Sequence, residues 1–411
     1  MKYVLNNVSQ IINNIHDNNH SISDYNILKQ YSTKYDNKTY RLIKYDKSLL
    51  TIDNLHKEGL IRSIVLNDNN NIISFSPPKS LPYDTFMKLQ QSSIDANMTI
   101  NEFIDGTMVN LFFDPIHESW EIATKSVVGG KNAFYDHSQP FKLLFYDAIN
   151  ESNLDINLLS KHFCYSFVLQ HPKNRIVVQI DNPTLYLIGM YNINNTDLNN
   201  IIITSYDINN TNIDSKLCET DNLFDIDIDV EYYNMLNYLH TKTSVKFPKI
   251  YNTYELNQLI DKHVKYDNIM GMIIYDKNGN RTKIRNIKYE HIRKLRGNTP
   301  NMNYHFLNCI KQGTINSFLN IYPEYNSEYD LLKLKLDVFS ITLYNNYVNC
   351  YIHKKQPLIQ YNFKYRTHMF SIHSIYLTEL KPNKKNMSQK KINEYLCKLD
   401  TPLLYASLFN N

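Results

Sequence analysis

Basic residues are concentrated in one part of the chain, residues 262–296, where ten of them stand against three acidic residues. Lysine and arginine donate charge-assisted hydrogen bonds to phosphate oxygens, so such an excess suits a surface that follows a nucleic-acid backbone. Tyr266, Tyr275 and Tyr289 interleave with the basic residues and could stack on bases. A solvated basic face is the alternative, because the chain has 33 tyrosines and their interleaving is weak support.

Other residue types that do chemistry do not assemble into a recognisable pattern. The five cysteines are scattered, odd in number and without a Cys-x-x-Cys pair, which argues against a disulfide framework or a structural zinc site. No P-loop, dinucleotide fingerprint or Gly-x-Ser-x-Gly motif occurs. The sequence therefore predicts no metal site. The scattered cysteines are typical of a protein in a reducing compartment.

Size and charge set the outer limits. Single cores stop growing at roughly 250–300 residues, so the 411 residues predict one large and one small domain. The net charge of only +4 means that any nucleic-acid binding must be local. No apolar run approaches the roughly 20 residues that cross a bilayer. We therefore expect a cytoplasmic protein without a membrane partner.

The elements that must position the basic residues are mostly strands. Short apolar runs bounded by turn residues predict strands at residues 61–66, 72–75, 108–113, 120–124, 163–169, 175–180, 185–191, 272–275 and 281–284. Asn278-Gly279 lies between the last two runs and predicts a tight hairpin, since this dipeptide adopts positive φ angles. These runs predict antiparallel hairpins.

Helical spacing dominates after about residue 296. Leu332, Leu336, Phe339 and Leu343 recur at three- and four-residue steps, which predicts a long helix. Ser388 is typical of the N-cap of a second helix that ends before Pro402. An earlier helix is predicted at residues 254–264. The fold class is therefore α+β, with an antiparallel-sheet domain at residues 1–295 and a helical domain at residues 296–411.

Several short motifs occur in an order known from one enzyme family. They are Ile61-Arg62-Ser63-Ile64-Val65, Phe75-Ser76-Pro77-Pro78-Lys79, Glu102-Phe103-Ile104-Asp105-Gly106-Thr107, Ala123-Thr124-Lys125-Ser126, Tyr165-Ser166-Phe167, Pro172-Lys173-Asn174-Arg175-Ile176-Val177, Met270-Gly271-Met272-Ile273 and Lys283-Ile284-Arg285. Together they resemble the nucleotidyltransferase (adenylation) domain of bacteriophage RNA ligases of the tRNA-repair kind, within the covalent nucleotidyltransferase superfamily. The resemblance covers roughly residues 40–295.

The resemblance implies a set of nucleotide- and phosphate-binding residues. They are Arg62, Lys79, Asp105, Gly106, Lys125, Lys283 and Arg285. Phosphate binding needs only placed donors and positive charge, so it does not depend on a reactive amine. Each basic residue alone could instead be a solvated strand-edge cation. Asp105-Gly106 could equally be a turn dipeptide at a strand end.

Three departures from the family pattern fall on the chemistry. Phe103 stands where the family has the lysine that attacks the α-phosphate of ATP or GTP, and a benzyl group cannot form a phosphoramidate. Ser166 and Met270 stand where the family has acidic residues that help bind ribose and metal. A thioether cannot replace the oxygen ligands that Mg²⁺ requires. Phe103 itself could fill the old pocket, pack beside it, or be an ordinary core residue.

The sequence thus indicates a degenerate RNA-ligase-like protein that binds RNA or a nucleotide without catalytic residues and without a certain cofactor. The alternative is an active RNA ligase or nucleotidyltransferase in which Lys125 or Lys131 replaces the nucleophile, or which transfers a nucleotide without a covalent intermediate. Only then would ATP and Mg²⁺ be cofactors. A purely structural or capsid-associated role is the third alternative. The abundance of Asn, Ile, Lys and Tyr is typical of an AT-rich genome and resembles that of proteins from large amoebal DNA viruses or AT-rich protists. In that setting we expect the protein in the host cytoplasm or a viral factory, with an unknown partner for the helical domain.

Overall fold

Antiparallel pairing of short strands organises the first part of the chain, and helices make up the second part. The computed structural model describes residues 1–9, 28–35, 37–90, 98–136, 138–197, 199–209, 228–260 and 269–410. These residues divide into two compact units, Met1–Arg293 and Lys294–Asn411. The predicted α+β fold, with antiparallel sheets followed by a helical region, is confirmed.

Strands of the first unit form three sheets in the described part of the chain, and the neighbouring strands of each are antiparallel. The large sheet has the order β1 (Lys2–Asn6), β11 (Asn200–Ser205), β10 (Thr184–Asn194), β9 (Phe163–Gln170), β7 (Thr107–Asp114) and β8 (Ser119–Thr124). The second sheet has β2 (Leu28–Tyr35), β3 (Lys38–Tyr45), β4 (Ile64–Leu66) and β5 (Ile72–Phe75). The third sheet has β12 (Ile250–Tyr251), β6 (Thr99–Glu102), β13 (Gly271–Tyr275) and β14 (Arg281–Arg285).

Helices cover two of these sheets. The helices that begin in the first unit are α1 (Ile52–Glu58), α2 (Tyr83–Leu89), α3 (Phe141–Glu151), α4 (Ile228–Lys242), α5 (Thr253–Ile260) and α6 (Ile287–Arg296). Phe145 of α3 and Leu239 of α4 are buried with Phe167 of β9 on one face of the large sheet. Phe86 of α2 and Leu256 of α5 are buried against the third sheet.

The other face of the large sheet packs against the second sheet. Along β7 the side chains alternate, as they must in a strand: Leu111 lies in the helix-covered core, whereas Phe112 lies in the core shared with the second sheet. Cys164 of β9 and Tyr40 of β3 are buried in that second core. The alternation also places polar Asn110 and Ser166 on this face, where both are fully buried.

The second unit is helical over the residues that the structure describes. Its helices after α6 are α7 (Met302–Gln312), α8 (Ile315–Ile321), α9 (Asn326–Tyr347), α10 (Phe363–Ile375), α11 (Gln389–Lys398) and α12 (Thr401–Phe409). The predicted long helix is α9, whose Leu332, Phe339 and Leu343 are buried. The Ser388 side chain accepts a hydrogen bond from the Lys391 N–H and caps α11, as predicted. Over all described residues, no helix is long and apolar enough to span a membrane.

Some predicted elements differ from the structure. The strand expected at residues 175–180 is absent, because the Val177 and Val178 N–H groups donate to the Asp105 carboxylate and not to a neighbouring strand. The helix expected at residues 254–264 is observed as Thr253–Ile260, and its remaining positions lie outside the described residues.

The predicted hairpin between β13 and β14 is present. Beyond the last strand pair, Tyr275 and Arg281, the Asp276 N–H donates to the Asn280 carbonyl at 3.0 Å, so three residues form the turn. Only Gly279 of this loop has positive φ, at 82°. The Asp276 carboxylate organises the loop, since it accepts hydrogen bonds from the N–H groups of Asn278 and Asn280.

The close approach of β13 and β14 depends on Gly271. Its φ is +150°, and a Cβ atom at this position would lie 2.1 Å from the carbonyl oxygen of Ile284. We expect Gly271→Ala to lower the free energy of unfolding by about 1–3 kcal/mol, because both backbone strain and a backbone clash are introduced. Urea unfolding followed by circular dichroism measures the loss.

The matched control is Gly313→Ala in the second unit. Gly313 also has positive φ, at 69°, but a Cβ atom at this position would meet no atom of the described residues within 4 Å. This change introduces strain without a clash and should cost about 1 kcal/mol. Equal losses for the two variants would contradict the assignment of a close strand approach at Gly271.

Candidate functional site

A cavity of about 260 Å³ opens in the first unit beside the third sheet and β7, β9 and β10 of the large sheet. Four basic side chains line it: Arg62, which precedes β4, and Arg281, Lys283 and Arg285 of β14. The three β14 residues are spaced by two, so strand geometry directs their side chains to the same face. The cavity therefore combines basic residues from distant parts of the sequence.

Apolar side chains make up much of the rest of the lining, among them Phe103, Met108, Val168, Ile188 and Met270. Polar Asn101, Glu102 and Tyr275 also line the cavity. Arg62, Lys283 and Arg285 were predicted as phosphate contacts, and Gly106 also lines the cavity. A space with one cationic and one apolar side matches a ligand that carries both phosphates and a planar base.

Arg281 was not among the predicted site residues, yet its buried guanidinium fixes the cationic side. Its Nε donates to the Pro78 carbonyl at 2.7 Å, and its Nη2 donates to the Pro77 carbonyl at 3.2 Å. The Arg62 guanidinium donates to the same Pro77 carbonyl at 3.3 Å. Both arginines thereby hold the segment that follows β5. The two-residue spacing from Lys283 was the sequence signal for Arg281.

The cations of the cavity have little compensating negative charge. Arg285 forms an ion pair with Glu290 at 2.7 Å, but in the described part of the chain Arg62, Arg281 and Lys283 form none. Burial, and then repulsion from Arg281, lowers the pKa of Lys283 to about 5. Burial likewise lowers the pKa of Arg62 to about 10, so Arg62 stays charged at neutral pH.

Phe103 lies directly against these cations. Its backbone N–H donates to the Gly271 carbonyl at 2.9 Å, which places it next to Met270. The Lys283 amine is 4.2 Å from the centroid of its ring, and the Arg285 guanidinium carbon is 6.0 Å away. These distances are those of cation–π contacts, although an amine is attracted this way only when it is protonated.

The other predicted lysines lie beside the cavity and not in its lining. The Lys79 amine donates to the Ser80 carbonyl at 3.1 Å, and its pKa is lowered by burial and by Arg62. The Lys125 amine lies 4.9 Å from the centroid of the Tyr45 ring. Burial, followed by repulsion from Arg62, lowers the pKa of Lys125 to about 8. Both lysines therefore add to the positive potential at the cavity.

The proposed replacement nucleophiles gain no direct support from their positions. Lys131 is exposed, and neither Lys125 nor Lys131 lines the cavity. Both remain predictions from the sequence.

Asp105 and Gly106 organise the turn between β6 and β7. The buried Asp105 carboxylate accepts hydrogen bonds from the Tyr289 hydroxyl at 2.6 Å and from the N–H groups of Val177 and Val178 at 3.2 and 3.0 Å. Gly106 has a φ of +146°, and a Cβ atom there would lie 2.5 Å from the carbonyl oxygen of Leu169. The turn thus fixes the backbone that carries Phe103.

Ser166 belongs to a buried chain of neutral hydrogen bonds. Its hydroxyl donates to Asn110 Oδ1 at 2.8 Å, and Asn110 Nδ2 donates to the Ser76 hydroxyl at 2.7 Å. Neither Ser166 nor Met270 supplies a carboxylate oxygen. Across the described ranges, no group of three or more His, Cys, Asp or Glu side chains comes together as a metal site requires.

The basic residues at 262–296 were expected to form a nucleic-acid surface with stacking tyrosines, and the structure matches this expectation only in part. Tyr289 is buried and bonded to Asp105, so it cannot stack on a base, and Tyr275 lines the cavity. Tyr266 and the two lysines nearest to it lie outside the described residues. Tyr289 was missed as the partner of Asp105, because no sequence pattern links two residues 184 positions apart.

Comparisons with known proteins give partial matches. No protein-family model matches the chain. An RNA ligase of Rhodothermus phage RM378 is 27% identical over 105 residues, which cover 23% of this chain and 23% of the ligase. The chain therefore matches under a quarter of the length of that relative. This match supports a partial relationship to RNA ligases.

Two solved structures are similar at low sequence identity. An archaeal ATP-dependent RNA ligase has a TM-score of 0.40 at 12% identity, over 74% of this chain and 68% of that chain. A proposed ATP-dependent DNA ligase from Aquifex aeolicus has a TM-score of 0.39 at 11% identity, over 90% of this chain and 80% of that chain. At these values they define neither an activity nor a ligand for this chain.

The hydrogen bonds of Asp105 predict its importance for stability. Asparagine has one acceptor oxygen, so Asp105→Asn leaves at least one of the three buried donors without an acceptor. We expect the free energy of unfolding to fall by about 1–3 kcal/mol. Urea denaturation measures the change, with Tyr289→Phe as the comparison, which removes one hydrogen bond and should cost about 1 kcal/mol. Wild-type stability of Asp105→Asn would refute this role.

Proposed function

We propose that this chain is an RNA-ligase-like protein that binds a nucleotide, or a phosphorylated end of RNA, in the cavity bounded by Arg62, Phe103 and β14. The phosphates would contact Arg62, Arg281, Lys283 and Arg285, with Lys79 and Lys125 beside them. The base or ribose would lie against the apolar side formed by Met108, Val168 and Ile188. Lysine–nucleotide chemistry at position 103 is ruled out by the residue type, because phenylalanine has no nucleophilic atom.

One observation carries the proposal: four basic side chains converge on a single cavity, and within the described residues three of them form no ion pair. The fourth, Arg285, pairs with Glu290. Holding unpaired charges in a partly buried space costs free energy, and a bound polyanion would offset that cost. Charge-assisted hydrogen bonds from arginine to phosphate are among the strongest that proteins form.

The proposed setting follows from the composition. The bias toward Asn, Ile, Lys and Tyr suits an AT-rich genome such as that of a large DNA virus, and RNA or nucleotides in the host cytoplasm would be the available ligands. An active enzyme with Lys125 or Lys131 as nucleophile is the second candidate. Either lysine would have to approach the cavity, because neither lines it.

Removal of two cations should weaken binding of a nucleotide. We expect wild-type protein to bind fluorescent ATP or a 5′-phosphorylated RNA oligonucleotide, and we expect Lys79→Gln with Arg285→Gln to raise the Kd about 100-fold. Each lost charge-assisted hydrogen bond accounts for about tenfold, since such bonds contribute roughly 1.5–3 kcal/mol. Fluorescence anisotropy at several salt concentrations measures both the affinity and the salt dependence.

The matched control is Lys277→Gln, which removes an exposed cation from the loop between β13 and β14 without touching the cavity. Its Kd should equal that of the wild type. Absence of binding by the wild type, or equal weakening in the control and the double variant, would overturn the proposed function.

The lowered pKa of Lys125 predicts that binding depends on pH. Lys125 is charged below a pH of about 8 and neutral above it. Because an anionic ligand favours the charged amine, affinity should fall as pH rises from 7 to 9, by up to about tenfold per pH unit above 8. Anisotropy titrations across this range measure the slope.

Lys125→Met should flatten this part of the pH profile and weaken binding at pH 7. Lys277→Met should keep the wild-type profile. A wild-type slope in Lys125→Met would show that Lys125 does not act on the ligand.

A further inference from the structure

The cavity contains an amine beside the residue that replaces the family lysine. Lys283 Nζ lies 4.2 Å from the centroid of the Phe103 ring. A lysine side chain at position 103 would extend through the space that this ring fills. The Lys283 amine therefore lies within one side chain's reach of the place where an amine at position 103 would act, although it comes from a different strand.

The pairing of the strands in the third sheet brings Phe103 and Lys283 close together. Lys283 of β14 pairs with Ile273 of β13, and both side chains line the cavity. Phe103 immediately follows β6 and bonds to Gly271 of β13. The central strand β13 thus holds the replaced position on one side and the amine on the other.

The surroundings of Lys283 suit a nucleophile. No described carboxylate forms an ion pair with it, so no acidic partner favours the protonated amine, which has no lone pair. The charged groups that face it are Arg281 and Arg285 on its own strand, Arg62 before β4 and Lys79 after β5. Glu102 of β6 and Tyr275 of β13 also line the cavity. Burial together with these cations lowers the pKa of Lys283 to about 5, so the amine is neutral at pH 7 in the unliganded protein.

We propose that Lys283 is a relocated nucleophile that accepts a nucleoside monophosphate from a bound nucleoside triphosphate. The proposal rests on the nucleotide binding proposed above and goes beyond it to a covalent step. It assigns the nucleophile to a residue whose expected role was only to contact phosphate.

The step balances without an oxidant or reductant. The lone pair of Lys283 Nζ forms a bond to the α-phosphorus, and the bond from that phosphorus to the oxygen bridging to the β-phosphate breaks. Pyrophosphate leaves with the electron pair, the amine releases one proton to water, and a phosphoramidate remains. A divalent cation arrives with the triphosphate as part of the substrate.

The cations that lower the pKa of Lys283 would also stabilise the leaving group of the reaction. Negative charge develops on the oxygens of the leaving pyrophosphate, and Arg62, Arg281 and Arg285 are placed to stabilise it. The apolar side of the cavity, including Phe103 and Met270, excludes water from the phosphorus. Lys125 and Lys131 lack this placement, because they lie outside the cavity lining.

Covalent labelling tests the assignment. Full-length protein is incubated with α-³²P-labelled ATP or GTP and MnCl₂, separated on a denaturing gel, and digested for mass spectrometry. We expect a labelled protein that carries one nucleoside monophosphate on Lys283, and we expect added pyrophosphate to remove the label. Lys283→Arg should lose the label by at least about 100-fold, because arginine keeps a cation but is not a nucleophile. Its circular dichroism spectrum and urea unfolding curve should match those of the wild type.

The matched control is Lys277→Arg, which makes the same substitution on the exposed loop of the same hairpin and should keep full labelling. Binding of nucleotide without any label, or a label on another lysine, would overturn the relocation and leave the proposed binding function intact. Absence of both binding and label would overturn both proposals. A wild-type circular dichroism spectrum of Lys283→Arg shows that the variant is folded.

Discussion

The cavity holds several basic side chains in a small space, and its structure depends on how the repulsion between them is limited. Arg62, Arg281 and Lys283 share a small space, and among the described residues no carboxylate pairs with them. The protein limits the resulting repulsion in two ways. It directs the guanidinium groups to the carbonyls of Pro77 and Pro78, and it holds Lys283 in an environment where the neutral amine is favoured. A polyanionic ligand would remove the remaining repulsion, which is why phosphate is the best-matched chemistry.

The buried carboxylate of Asp105 is held by hydrogen bonds and not by a neighbouring cation. Its carboxylate has no cation beside it in the hydrogen-bond network but accepts from two backbone N–H groups and one hydroxyl. The network fixes the turn after β6, and close backbone approaches at Gly106 and Gly271 hold the adjoining strands near each other. Phe103 directly follows β6, and its N–H bonds to the Gly271 carbonyl of β13, so hydrogen bonds to β13 set its position relative to Lys283.

Patterns local in sequence predicted much of the architecture. Short apolar runs bounded by turn residues located most strands, three- and four-residue steps located α9, and the Ser388 cap located the start of α11. Contacts between distant residues could not be found in this way. The chain at residues 175–180 has the composition of a strand, yet the Asp105 carboxylate takes its N–H groups. Motif order brought Arg62, Lys283 and Arg285 to one cavity, whereas the part played by Arg281 required the carbonyls of Pro77 and Pro78 to be seen in space.

The electrostatic field of the cavity favours binding of phosphate and also favours the neutral form of an amine. Cations that bind phosphates also disfavour protonation of any amine enclosed among them, so phosphate binding and amine nucleophilicity have the same physical cause. In this chain Arg62, Arg281 and Arg285 still supply that field. The Lys283 amine on β14 experiences this field, which together with burial lowers its pKa to about 5. Phe103 supplies no nucleophile, but the cavity provides the electrostatic conditions that a nucleophilic amine needs.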